Sequence, residues 1–318
     1  MTGVQTCALP ICKFTAPELF RVYSEASQAS EDGFEKTGYV YKSLLLAFSQ
    51  KVRPRQIVVS AGVAEDGDYV EMFEYLQMIP QGWLWLVSDL RDTAKQVALA
   101  KEVEAVDKFY CAGTSDANAV VASDTTDIAS ELRKLNLAHT YCWYDVPDPE
   151  LVTYSATEIA LLARCAGGVA GTVQFLLKEL VGVPAPDSVV NTRTKQNTLT
   201  TKGYTYSANG NGKAYSFGYG KFASGAHIDI NLALMWLTVR MRERIFNTIT
   251  NDDKLGMDNN GATTIESDVR GVLIEGQDIG LVSRDAPITV TVPDVATLTA
   301  IVRKIGRASC RERVFAGC

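Results

Sequence analysis

Residues 82–111 read GWLWLVSDLRDTAKQVALAKEVEAVDKFYC, and the two ends of that stretch differ in kind from its middle. Residues 82–88 and 108–111 are short apolar runs, while 93–106 is rich in Ala, Lys and Glu. Short apolar runs of this kind are consistent with buried strands, and the Ala-rich segment between them predicts a helix. Strand, helix and strand at this spacing form a crossover between parallel strands, with helices covering both faces of the sheet. The alternation extends outward on both sides. Residues 56–60 (QIVVS) and 139–144 (HTYCWY) are strand-like, and 69–78 and 127–135 are helical. Upstream, Val40, Leu44, Leu45 and Phe48 recur at helical spacing over 37–49. That helix stops before Arg53-Pro54, because proline disfavours helical backbone in the residue ahead of it. Residues 19–23 form a further β-prone run. The fold class is therefore α/β: a mostly parallel sheet flanked by helices, followed by a smaller α+β C-terminal domain with a hairpin and a long helix.

The second half carries that hairpin and helix. An apolar helix over 155–165 precedes a composition shift at Pro184 and Pro186, and the polar stretch 191–201 reads as a linker. Tyr204 and Tyr206 alternate with period two, as do Tyr215, Phe217 and Tyr219. Between them, Asn209-Gly210-Asn211-Gly212 supplies the positive φ angles of a tight hairpin turn. A long helix spans 229–249. Leu232, Leu234, Met235, Trp236, Leu237 and Val239 are apolar nearly all round, so its first half is expected to be buried. Its second half places Met241, Ile245 and Ile249 on one side and Arg240, Arg242, Glu243 and Arg244 elsewhere. A second helix is expected over 263–273 and a β-branched strand over 287–293.

The chain ends read differently from the rest. Residues 2–11 (TGVQTCALPI) and 305–314 (IGRASCRERV) match the translations of two common short-read sequencing adapters. The expectation is that 1–12 and 304–318 are not native, that the gene is truncated at both ends, and that 13–190 is an α/β body domain and 191–303 the C-terminal domain. Of seven cysteines, Cys111, Cys142 and Cys165 then remain, too widely spaced for a disulfide framework or a zinc pattern, and are read as buried free thiols. The 318-residue chain has a formal charge of −6; leaving out the tail's three arginines and one glutamate makes it −8. An acidic chain with no basic run is a poor nucleic-acid binder. No run approaches the roughly 18 apolar residues of a membrane span.

Chemical motifs are sparse. Ala61-Gly62-Val63-Ala64 offers one glycine where a dinucleotide fingerprint needs three, and no P-loop occurs, so no cofactor is expected. The two histidines, His139 and His227, lack any nucleophile context and read as structural. Asp145, Asp148 and Glu150 follow a strand, a place where catalytic carboxylates sit, and an α/β enzyme with a site there is the alternative reading; turn chemistry around Pro147 and Pro149 explains them as well. Asp252-Asp253 and Asp258-Asn259-Asn260-Gly261 invite a calcium reading, which fails because the ligand positions fall on Gly256 and Ser267. Arg240, Arg242 and Arg244 form the densest basic spot and are the candidate partner-binding residues, a charged face that could orient an acidic partner.

Ordered resemblances add to this. SQKVRPRQIVV (49–59) resembles the FxQxPRPxxixv element of phage contractile-tail sheath proteins. KFASGAHIDINLALMWLTVRMRERIFNTI (221–249) resembles the ASGEyIDvIrGiDWLxARIQexvF segment of the DUF3383 family of tail sheath-like proteins. The matches fall on Ala223-Ser224-Gly225, Ile228-Asp229, Trp236-Leu237, Arg240 or Arg242, and Phe246. DNNGATTIESDVRGVL (258–273) is similar to that family's D.GI..IE..VRAVL, and 288–293 to its YxVtvP strand. The family's glycine after Ile-Asp is replaced in the 231–234 region, and its N-terminal arm and last strand are missing. The resemblance implies a structural subunit of a contractile tail sheath, not an enzyme, which self-assembles around a tail tube and contracts without nucleotide hydrolysis; another tail or baseplate structural protein of similar fold is the alternative alongside the enzyme reading. It implies partners in further copies of the chain, the tail tube protein and baseplate proteins, and a place in the virion tail after assembly in the host cytoplasm. Terminal arms that add strands to a neighbour's sheet would link the subunits.

Overall fold

The computed structural model describes residues 7–10, 20–60, 69–79, 82–146, 156–187, 191–251, 255–256, 258–285 and 287–297. Its centre is an eight-stranded sheet: β1 (Cys7–Pro10), β2 (Phe20–Tyr23), β3 (Ile57–Ser60), β4 (Trp85–Val87), β5 (Phe109–Thr114), β6 (Thr140–Tyr144), β7 (Tyr204–Gly210) and β8 (Lys213–Phe217). The order across the sheet is β2-β3-β1-β4-β5-β6-β7-β8. The six inner strands run parallel, and β2 and β8 close the two sides antiparallel. Every residue of β3, β4, β5 and β6 is buried. This is why they read as unbroken apolar runs: a parallel sheet is covered on both faces. β1 sits between β3 and β4, pairing Ala8 with Val58 and with Leu86. A ladder is read through backbone groups, so any short extended segment can occupy such a slot.

Helices α1 (Ala26–Glu31), α2 (Tyr39–Phe48), α3 (Tyr69–Gln77), α4 (Thr93–Glu104), α5 (Ile128–Lys134), α6 (Glu158–Ala166) and α7 (Arg193–Lys202) flank the sheet. On one face, Leu99, Val103, Ile128, Leu132 and Leu199 from α4, α5 and α7 pack with Tyr110, Ala112, Cys142, Tyr144 and Tyr204. The other face is aromatic: Trp85 lies 5.0 Å from Phe109 and 6.0 Å from Tyr141, and Phe109 stacks on Phe222 at 5.1 Å. Asp92 and Asp127 cap α4 and α5 by accepting from the amides of Lys95 and Ser130. A cap of this kind contributes about 1 kcal/mol to its helix.

Four expectations change. The hairpin assigned to the second domain belongs to the main sheet, because β7 pairs in parallel with β6, Tyr204 against Cys142. Its turn is as expected: Asn211 and Gly212 both have positive φ, and Gly210 faces Lys213. Residues 191–201 form a helix rather than a linker; Thr192 begins α7, Gly203 ends it in the left-handed region, and the single buried leucine, Leu199, holds it to the sheet. Residues 287–293 carry no regular secondary structure and pair with no strand among the described residues. The first half of the long helix, α8 (Ile228–Asn251), is not buried: Leu232 is, but Leu234 is 58% exposed and Met235, Trp236, Leu237 and Val239 are half-buried.

The described residues fall into two compact units that divide between Asn231 and Leu232. The sheet and helices α1 to α7 lie in the first. The second contains most of α8 and α9 (Asn259–Asp278), a helix longer than its motif suggested.

Candidate functional site

In the second unit, α8 and α9 form a hairpin whose fit depends on small residues. Gly276 lets Leu237 approach, since a Cβ there would lie 3.1 Å from its side chain. Gly271 likewise makes room for the guanidinium of Arg244, which a Cβ would meet at 3.0 Å. Asp258 caps α9 by accepting from the Gly261 amide at 3.0 Å, a structural task; Asp252-Asp253 lie outside the described residues.

The three candidate arginines meet different fates. Arg240 reaches Glu275 on α9 at 3.0 Å and Glu243 at 3.1 Å, and its guanidinium lies 5.8 Å from the Trp236 ring. Those two carboxylates hold its charge more firmly than usual. Arg244 pairs with Asp268 at 3.5 Å. Arg242 is exposed and has no ion-pair partner among the described residues. Spacing by two residues on a helix spreads the side chains over its circumference, so only one of the three is left facing outward without a carboxylate. Close to it in sequence lie Phe246, 65% exposed, and Ile249, 52% exposed.

In the first unit, the carboxyl ends of β4, β5 and β6 gather a second group. Glu158, the first residue of α6, is fully buried, and its Oε1 accepts from Arg91 Nη2 at 2.6 Å and from the Tyr39 hydroxyl at 2.7 Å. Arg91 also donates to the carbonyls of Ser88 and Leu90. Gly113 in β5 permits this: a Cβ there would stand 3.0 Å from the Glu158 carboxyl and 3.2 Å from Arg91 Nη1. Asp145 follows β6 directly. Its Oδ1 accepts from Thr157 Oγ1 at 2.7 Å, and that hydroxyl accepts from Trp143 Nε1 at 2.8 Å. Burial and the negative charge of Glu158 push the Asp145 carboxyl up to about 7, against the pull of the Thr157 bond and Arg91. Asp148 and Glu150 lie outside the described residues, so the structure brings only Asp145 of that expected trio into a site.

A third charged cluster is closed and structural. Asp127 accepts from Lys202 Nζ at 2.8 Å, Tyr204 at 2.7 Å and Ser130 at 2.7 Å. Burial opposes the Asp127 charge, but those donors outweigh it and hold the carboxyl below its usual range. Cys111, Cys142 and Cys165 are free and buried, as expected, and burial raises all three thiols, Cys165 to about 12. His139 is packed edge-on against Phe109 at 5.3 Å, and His227 is exposed. Among the described residues no helix is long and apolar enough to cross a membrane.

No family model matches the chain, and no curated protein matches it in sequence. Its shape does have relatives. A chain of the anti-feeding prophage baseplate, solved by cryo-EM, superposes with a TM-score of 0.66 at 13% identity, over 96% of this chain and 87% of that one. The sheath tail protein Lin1278 from Listeria innocua gives 0.57 at 11% identity, over 89% and 86%. The sheath complex of an extracellular contractile injection system in its contracted state gives 0.62 at 8% identity, over 96% and 85%. The fold is that of contractile-tail sheath proteins. In this sheath fold the likeness runs through both compact units, since it covers nearly the whole chain.

Proposed function

We propose that the chain is a structural subunit of a contractile tail sheath, from a phage or a phage-derived machine, that self-assembles around a tail tube and contracts without nucleotide hydrolysis. The observation that carries this is the shared fold with two sheath proteins and a baseplate chain, over at least 89% of this chain and 85% of each of those. Its partners would be further copies of itself, a tail tube protein and baseplate proteins, and its place the virion tail, after assembly in the host cytoplasm. The ordered motifs over 49–59, 221–249, 258–273 and 288–293 favour the DUF3383 branch of sheath-like proteins.

Two local features fit a subunit that is completed by neighbours. Residues 287–293 present a β-branched alternation, with Ile288, Val290 and Val292 half-buried and the threonines between them exposed. Their backbone has no ladder within the described chain, which is what a strand added from another copy would supply. Contraction would then exchange one packing of the bodies for another while such ladders persist, the energy having been stored at assembly. The second feature is the outward side of α8. Arg240, Arg242 and Arg244 are proposed to lie toward the inner tube, with Arg242 free to meet an acidic surface and the other two steadying the hairpin. Charge reversal by Arg242→Glu tests this in a co-assembly assay with the tube protein. The proposal expects co-assembly to weaken while the fold is unchanged; intact co-assembly would end it.

The enzyme reading around Asp145 is less well supported. Asp145 is buried and engaged by Thr157, an arrangement that suits structural bonding more than contact with substrate.

A further inference from the structure

β8 ends the row of strands, and the outer edge of a last strand is a template on which any extended chain can pair. The chain covers that edge itself. Residues 175–181, which come after α6, run along β8, and Glu179 pairs antiparallel with Tyr215. Leu177 donates to the Ser216 carbonyl at 2.8 Å, Ser216 to the Lys178 carbonyl at 2.9 Å, and Leu180 to the Ala214 carbonyl at 2.9 Å. Between these bonds sits a bulge: Leu177 and Lys178 together oppose Ser216. The Lys178 amide, displaced from the ladder, donates to Ser216 Oγ at 2.9 Å, and that hydroxyl donates to the Phe175 carbonyl at 2.7 Å. The first residue of such a bulge takes left-handed backbone and is ordinarily glycine. Here it is Leu177, with φ of +56°.

The segment is fastened unequally along its length. Phe175 is 3% exposed and lies 5.7 Å from Trp85 and 5.9 Å from Tyr141. Leu180 is equally buried, and the buried Gln50 side chain grips Val181, accepting from its amide at 3.1 Å and donating to its carbonyl at 2.8 Å. The middle is held less well. Leu177 is 58% exposed, so little burial offsets its strained backbone. Glu179 is gripped by Lys51 at 2.5 Å and Lys213 at 2.6 Å, lysines whose side chains are 61% and 58% exposed. Hydrogen bonds from Lys213 and Lys51 pull the Glu179 carboxyl down to about 2, so it stays charged at ordinary pH and its grip answers to salt rather than to protons.

We propose that residues 177–179 are a releasable strap on the β8 edge, strained at Leu177 and latched by the Glu179 carboxylate between Lys51 and Lys213. Lifting the strap breaks the Leu177 and Ser216 bonds while Phe175 and Val181 stay seated on either side. The uncovered Ser216 backbone can then pair with an extended segment from another molecule; closed, the strap guards the sheet against such pairing. Salt screens ion pairs that lie half in solvent, so opening responds to ionic strength. The strap belongs to the sheet-bearing unit alone and stands whether or not the chain is a sheath subunit.

The test is hydrogen exchange resolved to single amides, on the full chain in about 0.1 M and about 1 M sodium chloride. The amides of Leu177, Lys178 and Ser216 should exchange about threefold faster in the higher salt, and Glu179→Gln should give that rate already in the lower salt. Leu177→Gly should slow the same amides about threefold by relieving the left-handed strain. The Val181 amide, held by Gln50, should respond to none of the three. A fluorescent peptide of the sequence GTVQFLLKELVG (171–182) reads the uncovered edge, and Glu179→Gln should bind it more tightly than wild type. Exchange at these amides that ignores salt, an equal change at Val181, no slowing in Leu177→Gly, or equal peptide binding by wild type and Glu179→Gln would overturn the strap. Should Glu179→Gln fail to fold, Lys213→Gln, which removes one arm of the latch, takes its place.

Discussion

The sheet-bearing unit buries charge at two places, while the described ion pairs of the α8–α9 unit all stay part-exposed. In the first, Glu158 and Asp127 are completely buried, and their partners Arg91 and Lys202 are nearly so, with side chains 19% and 8% exposed. In the second, Arg240 and Glu275 remain about a third exposed and Arg244 about half. Both units expose some apolar side chains, Met78, Leu177 and Tyr219 in the first among them, and the division lies in what each encloses. Trp85, Trp143 and Tyr141 are enclosed, while Leu234, Phe246, Ile249 and Ile274 face outward. A unit that encloses its largest aromatic residues and two of its ion pairs has settled much of its own packing. A two-helix unit held by glycine contacts and half-wet ion pairs has apolar surface left over, which is what a part designed to meet other molecules retains.

Breaking the buried stitch is expected to do the most damage. Arg91→Met leaves Glu158 buried without its cation and should lower unfolding free energy by about 3–5 kcal/mol, read by urea titration. Gly113→Val attacks the same stitch from the strand beneath it, by driving side-chain atoms into the Glu158 and Arg91 groups. Overpacking of this sort typically costs about 1–3 kcal/mol, and the Arg91→Met and Gly113→Val losses should not add, because the two changes disrupt one contact. The Asp127 cluster contributes an acid-side effect. Its carboxyl is held below the usual range, so its stabilisation is complete above about pH 4 and is lost as pH falls through the lowered value. Asp127→Asn should therefore remove part of the acid-induced loss, seen as a shallower fall in melting temperature below pH 4.

The same operation on the helical hairpin should be mild. Arg240→Gln and Arg244→Gln are each expected to cost no more than about 1 kcal/mol, and less in high salt, because solvent screens half-exposed pairs. If Arg240→Gln proved as damaging as Arg91→Met, the contrast between the two units would be lost. The smallest effect on stability is expected from Arg242→Glu, whose side chain has no carboxylate to lose; its consequence should appear in co-assembly instead.

How far the sequence disclosed this depends on what each residue contacts. β4, β5 and β6 could be read directly, because strands covered on both faces are apolar without interruption. The β7–β8 turn could be read too, since Asn211-Gly212 is local chemistry. The pairing of β7 with β6 could not, for it joins Tyr204 to Cys142 across a long separation and no local pattern records a partner. α7 escaped notice because Leu199 is its one buried apolar residue, so there is no apolar period. The half-exposed front of α8 misled for the opposite reason: a run apolar all round predicts enclosure, and of residues 232–239 Leu232 is buried while the rest are half-buried or exposed. The Glu158–Arg91 stitch left two faint signs, an acid opening an otherwise apolar helix and a lone glycine inside a buried strand. Neither names the other, and their meeting is a product of the fold. The sheath-like shape was legible through the resemblance of ordered motifs, which the superpositions on sheath proteins now match in architecture.

Assembly is the property on which the account rests, and electron microscopy of the purified, folded chain over a range of concentrations addresses it most directly. The account predicts rings or tubes of one uniform diameter, lost on substituting proline for Thr289 or Thr291 in the segment 287–293, which has no ladder among the described residues. Single dispersed particles at every concentration, from protein shown by circular dichroism to be folded, would contradict it.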